Sequence, residues 1–311
     1  MAEVQRGMTL WYEGRDITDE VDIVECVCRD VSGGQRDALN LKVDHAGEWF
    51  RWAPRKNDRL RVTRSGYDTG EMFLTAIIPE DGAYRIIATG AAALPCPARW
   101  QAFEKASLMS VMSQVAGECG MTARLFGLGG GITYEYLMRM NERAPAFLER
   151  LAGYEGAALK ALGGTFTAIG IGYAQGLPAM HEMRLDDDQT DSEYLDRRDA
   201  NWASVTIDTP FGFGVARDSG ASGQSVTISD IAVDDDAQAY RWARGMLLMH
   251  NRKSEELNIE MDFNPGYTAL ARVDVTSRTD AAGKWLIDEV EQNLWEGRTR
   301  ARLYRCVGTI M

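Results

Sequence analysis

Three histidines, His45, His181 and His250, are the side chains best suited to acid–base or metal chemistry, yet they lie far apart, with no histidine pair four residues apart and no cysteine cluster nearby. His181-Glu182 lacks the second histidine of a zinc-protease helix, so each histidine reads as an incidental loop or helix residue. Gly127-Leu128-Gly129-Gly130-Gly131 and Gly170-Ile171-Gly172-Tyr173 resemble phosphate-cradling loops. The first has no Gly-Lys-Ser/Thr ending, and neither is expected to follow a strand and open a helix, so both read as flexible connections. No Gly-x-Ser-x-Gly nucleophile elbow occurs. Asp186, Asp187, Asp188, Asp191, Glu193, Asp196 and Asp199 form an acidic run opposed by Arg197 and Arg198. It lacks the glycine hinge and terminal Glu of a calcium loop and reads as a solvated loop or rim. Two of so many carboxylates could meet in any fold, which leaves glycoside cleavage as an alternative. Neither a cofactor nor a metal is called for.

These residues sit in a chain of 311, long enough for two or three domains and a sizeable core. The net charge of −12, from 34 basic and 46 acidic residues, argues against a surface built for nucleic acid, which needs clustered Lys and Arg. The five cysteines, at positions 26, 28, 96, 119 and 306, are odd in number and irregularly spaced, and predict free buried thiols in a reduced compartment. Cys26 and Cys28 would share one face of a strand. No signal peptide or apolar stretch of about 20 residues appears, so folding in a cytoplasm without a membrane segment is expected.

From Thr9 to about Ala93, short alternating runs separated by glycine turns predict strands of a small barrel or sandwich. Leu94-Pro95-Cys96-Pro97 breaks the pattern. Leu108, Val111, Met112, Val115 and Cys119 then recur at helical steps, with Ser107 as N-cap and Gly120 as a stop. A second helix is predicted from about Ala144, with Pro145 in its first turn and Phe147, Leu148, Leu151 and Ala152 inward. Strand patterns return at Phe166–Ile169, Trp202–Ile207 and Gln224–Ile228. A helix over about 236–250 places Tyr240, Ala243 and Leu247 on one stripe beside Trp242, Met246 and Met249. The organisation is mainly β with α: a first β-barrel module over 1–95, a helical insertion over 96–160, and a second β-barrel module over 161–311.

An internal repeat links the ends of the chain. Leu39-Asn40-Leu41-Lys42-Val43-Asp44 reappears as Leu257-Asn258-Ile259-Glu260-Met261-Asp262, shifted by 218 residues. Leu60-Arg61-Val62-Thr63 matches Val273-Asp274-Val275-Thr276, and Gly70–Leu74 matches Gly283–Ile287, both shifted by 213. The five-residue difference falls between Asp44 and Arg59, in a loop, where insertions are tolerated.

The run Trp11-Tyr12-Glu13-Gly14-Arg15-Asp16-Ile17-Thr18-Asp19, with Arg36–Leu41, Pro54-Arg55-Lys56-Asn57-Asp58 and Gly70-Glu71-Met72-Phe73, resembles the opening of contractile-tail baseplate hub proteins. These include the phage late control protein D group and its relatives in defective prophages and tail-like bacteriocins. Pro145–Ala152 resembles the family's central helix, and Tyr240–Arg244, Asn264-Pro265-Gly266 and Gly283–Ile287 its last module. The similarity runs in order along nearly the whole chain. One departure is Asn57-Asp58, where the family has Gly in the turn; Asn tolerates the same positive φ. The Gly127–Gly131 connection and the acidic run are not family features.

The resemblance implies a structural, non-enzymatic hub with no cofactor: a homotrimer with two tube-like barrels per chain, joining the hexameric tail tube to the trimeric tail spike. Other baseplate proteins and the tape-measure protein are further partners, and no specific nucleic-acid binding is implied. The protein would assemble in the bacterial host cytoplasm and reside in the tail baseplate of a virion or tail-like particle. Leu39, Leu41, Val43, Leu60, Val62, Leu257, Ile259, Met261, Val273 and Val275 are then expected at subunit or tube contacts. Asp186, Asp187 and Asp188 would line the channel and repel passing DNA. The alternatives are a tail-associated cell-wall-degrading enzyme and a cell-wall-binding module.

Overall fold

The computed structural model describes residues 7–33, 36–44, 53–92, 96–185, 191–308 and 310. A first module is built from β1 (Met8–Tyr12), β2 (Arg15–Asp16), β3 (Asp22–Val31), β4 (Ala38–Asp44), β5 (Arg59–Arg64), β6 (Tyr67–Asp68), β7 (Met72–Glu80) and β8 (Ala83–Thr89). Alternation drives it: Leu39, Leu41 and Val43 of β4 are fully buried, while Asn40 and Lys42 between them are only half-buried. They share one core with Leu10, Cys26, Leu60 and Ile86. Asn57 takes the left-handed conformation, φ +74°, that the turn requires.

The chain continues through β9 (Arg99–Ser107), α1 (Leu108–Gly117), β10 (Thr122–Phe126), β11 (Thr133–Glu142), α2 (Ala144–Tyr154), β12 (Ala157–Leu162), β13 (Thr165–Gly170) and α3 (Ile171–Gly176). Ser107 Oγ accepts the Ser110 N–H at 3.1 Å, capping α1, and Pro145 sits in the first turn of α2. Both helices lie where their patterns predict. Residues 96–160 are nevertheless not simply helical: β9 and β11 form an antiparallel ribbon, and β13 pairs with both β10 and β12.

Next come β14 (His181–Arg184), β15 (Asp191–Asp196), β16 (Ser204–Thr209), β17 (Gly212–Arg217), β18 (Ser225–Ile228) and α4 (Asp236–Asn251). The chain ends with β19 (Glu255–Asp262), β20 (Arg272–Thr276), β21 (Gly283–Asn293) and β22 (Arg298–Arg305). A single core joins α1, α2 and β13 to β16, β17 and α4. The segment from β16 to α4 therefore packs with the middle unit, although the sequence pattern had assigned it to the second module. The reason is the apolar stripe of α4, in which Ala239, Trp242, Ala243 and Leu247 are buried. Tyr240, expected on that stripe, is 42% exposed. At Gly245 a Cβ would lie 2.0 Å from the Tyr154 carbonyl, so only glycine lets α4 approach the end of α2. Glu155, also in the interior, accepts hydrogen bonds from Tyr134 Oη at 2.8 Å and from Trp242 Nε1 at 2.7 Å, and pairs with Arg241 at 2.8 Å.

The second module reproduces the first. In one the strands run side by side as β3-β4-β8-β7-β5-β1, and in the other as β15-β19-β22-β21-β20-β14. Registers agree as well. Leu39 faces Ala88 as Leu257 faces Leu303, and Leu60 faces Met72 as Val273 faces Trp285. Each long strand carries a bulge at the matching place, between Leu74 and Ala76 and between Ile287 and Glu289. Bulges are built features of a sheet, so their coincidence argues for true duplication. One difference is that β14 runs parallel to β20, whereas β1 runs antiparallel to β5.

Cys96 and Cys119, expected as free thiols, are joined through their sulfurs with Cα atoms 5.9 Å apart, while Cys26, Cys28 and Cys306 are free. No helix among the described residues is long and apolar enough to cross a membrane.

Leu39 and Leu257 occupy matching core positions, each with no exposed surface. Truncation of either to Ala is expected to cost about 2–5 kcal/mol of stability, read from urea denaturation of the isolated chain.

Candidate functional site

The two modules are joined by one ladder. Strand β3 of the first pairs with the far half of β21 in the second, with Asp30 opposite Val290, Arg29 opposite Glu291 and Cys28 opposite Gln292. The bulge in β21 leaves Asp288 outside the regular ladder, and its groups staple the end of β3. Its carbonyl accepts the Ser32 N–H at 2.7 Å, and its carboxylate accepts the Ser32 hydroxyl at 2.5 Å. Arg252, just past α4 and almost wholly buried, reaches the same carboxylate at 2.6 Å. Arg29 pairs with Glu289 across the junction.

The middle unit docks beside this ladder. Lys160 of β12 bonds Asp30, and its ammonium lies 3.5 Å from the Asp37 carboxylate. Asp37 also accepts the Val31 N–H at 2.9 Å, and Asp30 accepts the Ala269 N–H at 2.8 Å. Burial pushes the Asp37 carboxyl up to about 6 against the pull of Lys160. Burial alone would lower the Lys160 ammonium, but Asp30 and Asp37 outweigh it and hold it above its usual value. First module, second module and middle unit thus meet around a few buried charges.

On the sheet face opposite the cores, one cross-strand row reads Asp191, Glu260, Arg300, Glu291, Arg29. Arg300 bonds Glu260 at 2.9 Å and lies 3.5 Å from Glu291. A shallow cleft of about 390 Å³ follows this face, lined by Glu256, Glu289 and Arg302 among others. Arg300 and Arg302 pair with Glu260, Glu291 and Glu289, and Asp191, Glu193 and Glu256 add further carboxylates, so the cleft is an acid-rich face rather than a balanced one.

The residues with chemical potential are dispersed. His181 stacks on Tyr267 with ring centroids 4.3 Å apart and bonds the Gly266 carbonyl at 2.9 Å; His250 stacks on Trp202 at 3.7 Å. Among the described residues no three His, Cys, Asp or Glu side chains gather as a metal site. Gly170 does end a strand and open a helix, contrary to expectation, but that helix spans six residues. A Cβ at Gly170 would lie 2.8 Å from the Gly127 carbonyl, so the two glycine stretches pack together. His45 and Asp186, Asp187 and Asp188 lie outside the described residues. The rest of the acidic run is partly ordered as β15, an edge strand on β19, rather than a loop throughout.

The expected contact residues fall into two clusters. Leu39, Leu41, Val43, Leu60 and Val62 fill the first module's core, and Leu257, Ile259, Val273 and Val275 the second's, with partly buried Met261 packed against it. Their side chains are turned into the chain's own interior by the strand alternation that the sequence displays. What the modules leave uncovered are strand edges and the alternate, outward residues. The β3–β21 junction was not foreseen, because edge pairing between distant strands leaves no periodic signal.

No family model and no curated protein matches the sequence. Solved structures do match across almost the whole chain. The 43 kDa tail protein of prophage MuSo2 from Shewanella oneidensis is 13% identical, with 97% of this chain and 98% of that one covered at a TM-score of 0.72. The tail protein from Neisseria meningitidis MC58 is 12% identical, with 96% of each chain covered at 0.74. The E. coli c3393 protein is 10% identical, with 94% of this chain and 76% of that one covered at 0.55. It is described as a component of the type VI secretion system with structural similarity to the T4 bacteriophage tail proteins gp27 and gp5. The chain therefore has the mainly β, α+β fold of phage tail proteins and their secretion-system relatives, which is the fold that the baseplate-hub resemblance implies.

The docking cluster has a pH signature. Asp37 holds its proton more tightly folded than unfolded, so its contribution favours folding below about pH 4 and is lost as pH rises through about 6. Asp37→Asn removes that loss. Its unfolding free energy relative to the parent chain is expected to improve by up to about 3 kcal/mol between pH 4 and pH 7, in denaturant titrations at both pH values.

Proposed function

We propose that the chain is the structural hub of a contractile tail or tail-like particle, a homotrimer that joins a hexameric tail tube to a trimeric spike. The observation that carries this reading is the repetition of one module twice in a single chain with the same strand order, ladder registers and bulge position. Three such chains present six nearly equivalent modules on one face, a match for a sixfold ring. The middle unit, present once per chain, keeps threefold symmetry on the other. Closed rotational symmetry lets a modest contact, repeated, hold a stable assembly. The likeness to tail proteins supports a place in the tail baseplate of a particle assembled in the host cytoplasm, with other baseplate and tape-measure proteins as neighbours. The role is scaffolding, and catalysis has no part in it.

On this reading the charged sheet face and the acidic residues Asp186, Asp187 and Asp188 border the bore, where carboxylates repel passing DNA.

Light scattering on the purified full chain should give three times the chain mass, with threefold class averages in electron microscopy; a stable dimer would sink the hub reading. Reversing the charges of Asp186, Asp187 and Asp188 together should slow genome release from particles that still assemble, and unchanged release would remove this stretch from the bore.

A further inference from the structure

The junction within the chain is itself one half of a repeating contact. Carried over by the module equivalence, β3 corresponds to β15 and β21 to β7, so the edges that would repeat the β3–β21 ladder are β15 and the far half of β7. Among the described residues both are open: strand β15 is the terminal strand of its sheet and pairs with β19 alone. Strand β7 pairs with β5 only through Met72 and Phe73, and among the described residues no strand covers its outer edge from Ala76 to Glu80. Unpaired strand edges are templates for another chain.

We infer that β15 of one copy adds to the outer edge of β7 in the next copy, antiparallel and in the register of the internal junction. This deepens the trimeric hub reading and rests on it, with a second copy of this chain as the partner. Asp30 opposite Val290 becomes Asp196 opposite Ile77, Arg29 opposite Glu291 becomes Leu195 opposite Ile78, and Cys28 opposite Gln292 becomes Tyr194 opposite Pro79.

Backbone direction agrees with this placement. The Arg197 N–H donates to the Ser254 carbonyl on the β19 side, so by alternation Tyr194 and Asp196 point their backbone groups at the open edge. Side-chain chemistry agrees too. Where the internal junction has the charged pair Arg29 and Glu291, the open edges carry Leu195 and Ile78, and Ile78 is 42% exposed in the single chain. Half-buried Leu195 and exposed Ile78 gain from meeting each other. Pro79 lacks an N–H and removes one donor from the ladder. Proline on an edge also restrains indiscriminate pairing, which suits an edge that must wait for its proper partner. The contact is head-to-tail, and in the trimeric hub its repetition closes a ring in which three chains supply six modules.

Leu195 and Ile78 would form a non-hydrogen-bonded pair with Cα atoms about 4.5 Å apart, within reach of a disulfide. The full chain carrying Leu195→Cys and Ile78→Cys together, mildly oxidised and run on a non-reducing gel, should give covalent dimers and closed trimers that reductant dissolves. A mixture of the two single variants should stop at dimers, and each single variant alone should stay monomeric on the gel. Self-linking of either single variant would mean a two-fold contact and overturn the inference. A trimer by light scattering without the Leu195–Ile78 cross-link would overturn the edge pairing and leave the hub standing. A chain that neither trimerises nor cross-links at high concentration would overturn both. Ile78→Lys should raise the dissociation constant of the assembly at least tenfold without shifting the melting temperature of the single chain; unchanged association would also overturn the inference.

Discussion

The ladder between β3 and β21 is the contact on which the rest of this molecule depends. A strand edge presents a row of backbone donors and acceptors that must be paired or left to water. Here the edge of one module satisfies that of the other, which converts two separate sheets into one. The bulge at Asp288 makes the joint definite, because it frees a carboxylate that takes Ser32 from β3 and Arg252 from the end of α4. Loss of one partner from such a buried pair leaves an uncompensated charge, so the joint has one preferred geometry and the angle between modules is set within the chain.

The same region anchors the middle unit. Lys160 sits between Asp30 of β3 and Asp37 beyond its end, and Asp30 also holds the backbone of Ala269 in the second module. Buried charges of this kind add little net stability, but they penalise any displaced arrangement. The middle unit has its own core, knitted across the chain by the Trp242 side chain and the Glu155 carboxylate. The piece that occurs once per chain is thereby locked to the joint between the pieces that occur twice.

Much of this was legible along the chain. The repeated Leu39–Asp44 and Leu257–Asp262 runs lie on strands in matching register, and the Asn57 turn takes the positive φ that its residue type permits. Ser107 caps one helix and Pro145 lies in the first turn of the next, both where the pattern places them. The apolar residues of the repeat strands, expected at contacts between subunits, fill the core of each module, because alternation shows that one face is apolar without showing what covers it. The likeness of β1 and β3 to β14 and β15 leaves no such mark in the sequence. In the second module β15 is separated from β19 by the whole segment from β16 to α4, which breaks the spacing on which a repeat search relies.

Local pattern, then, determined the elements and the duplication of three strands, because period, turn chemistry and capping act between near neighbours. Tertiary structure alone decided that residues 204–251 leave the second module to complete the middle core, that β3 joins β21, and that no strand among the described residues covers the outer edges of β15 and the far half of β7. These outcomes depend on which distant surfaces bury each other and which backbone edges find partners. Edge pairing uses main-chain groups that every residue carries, so side-chain sequence records it only faintly.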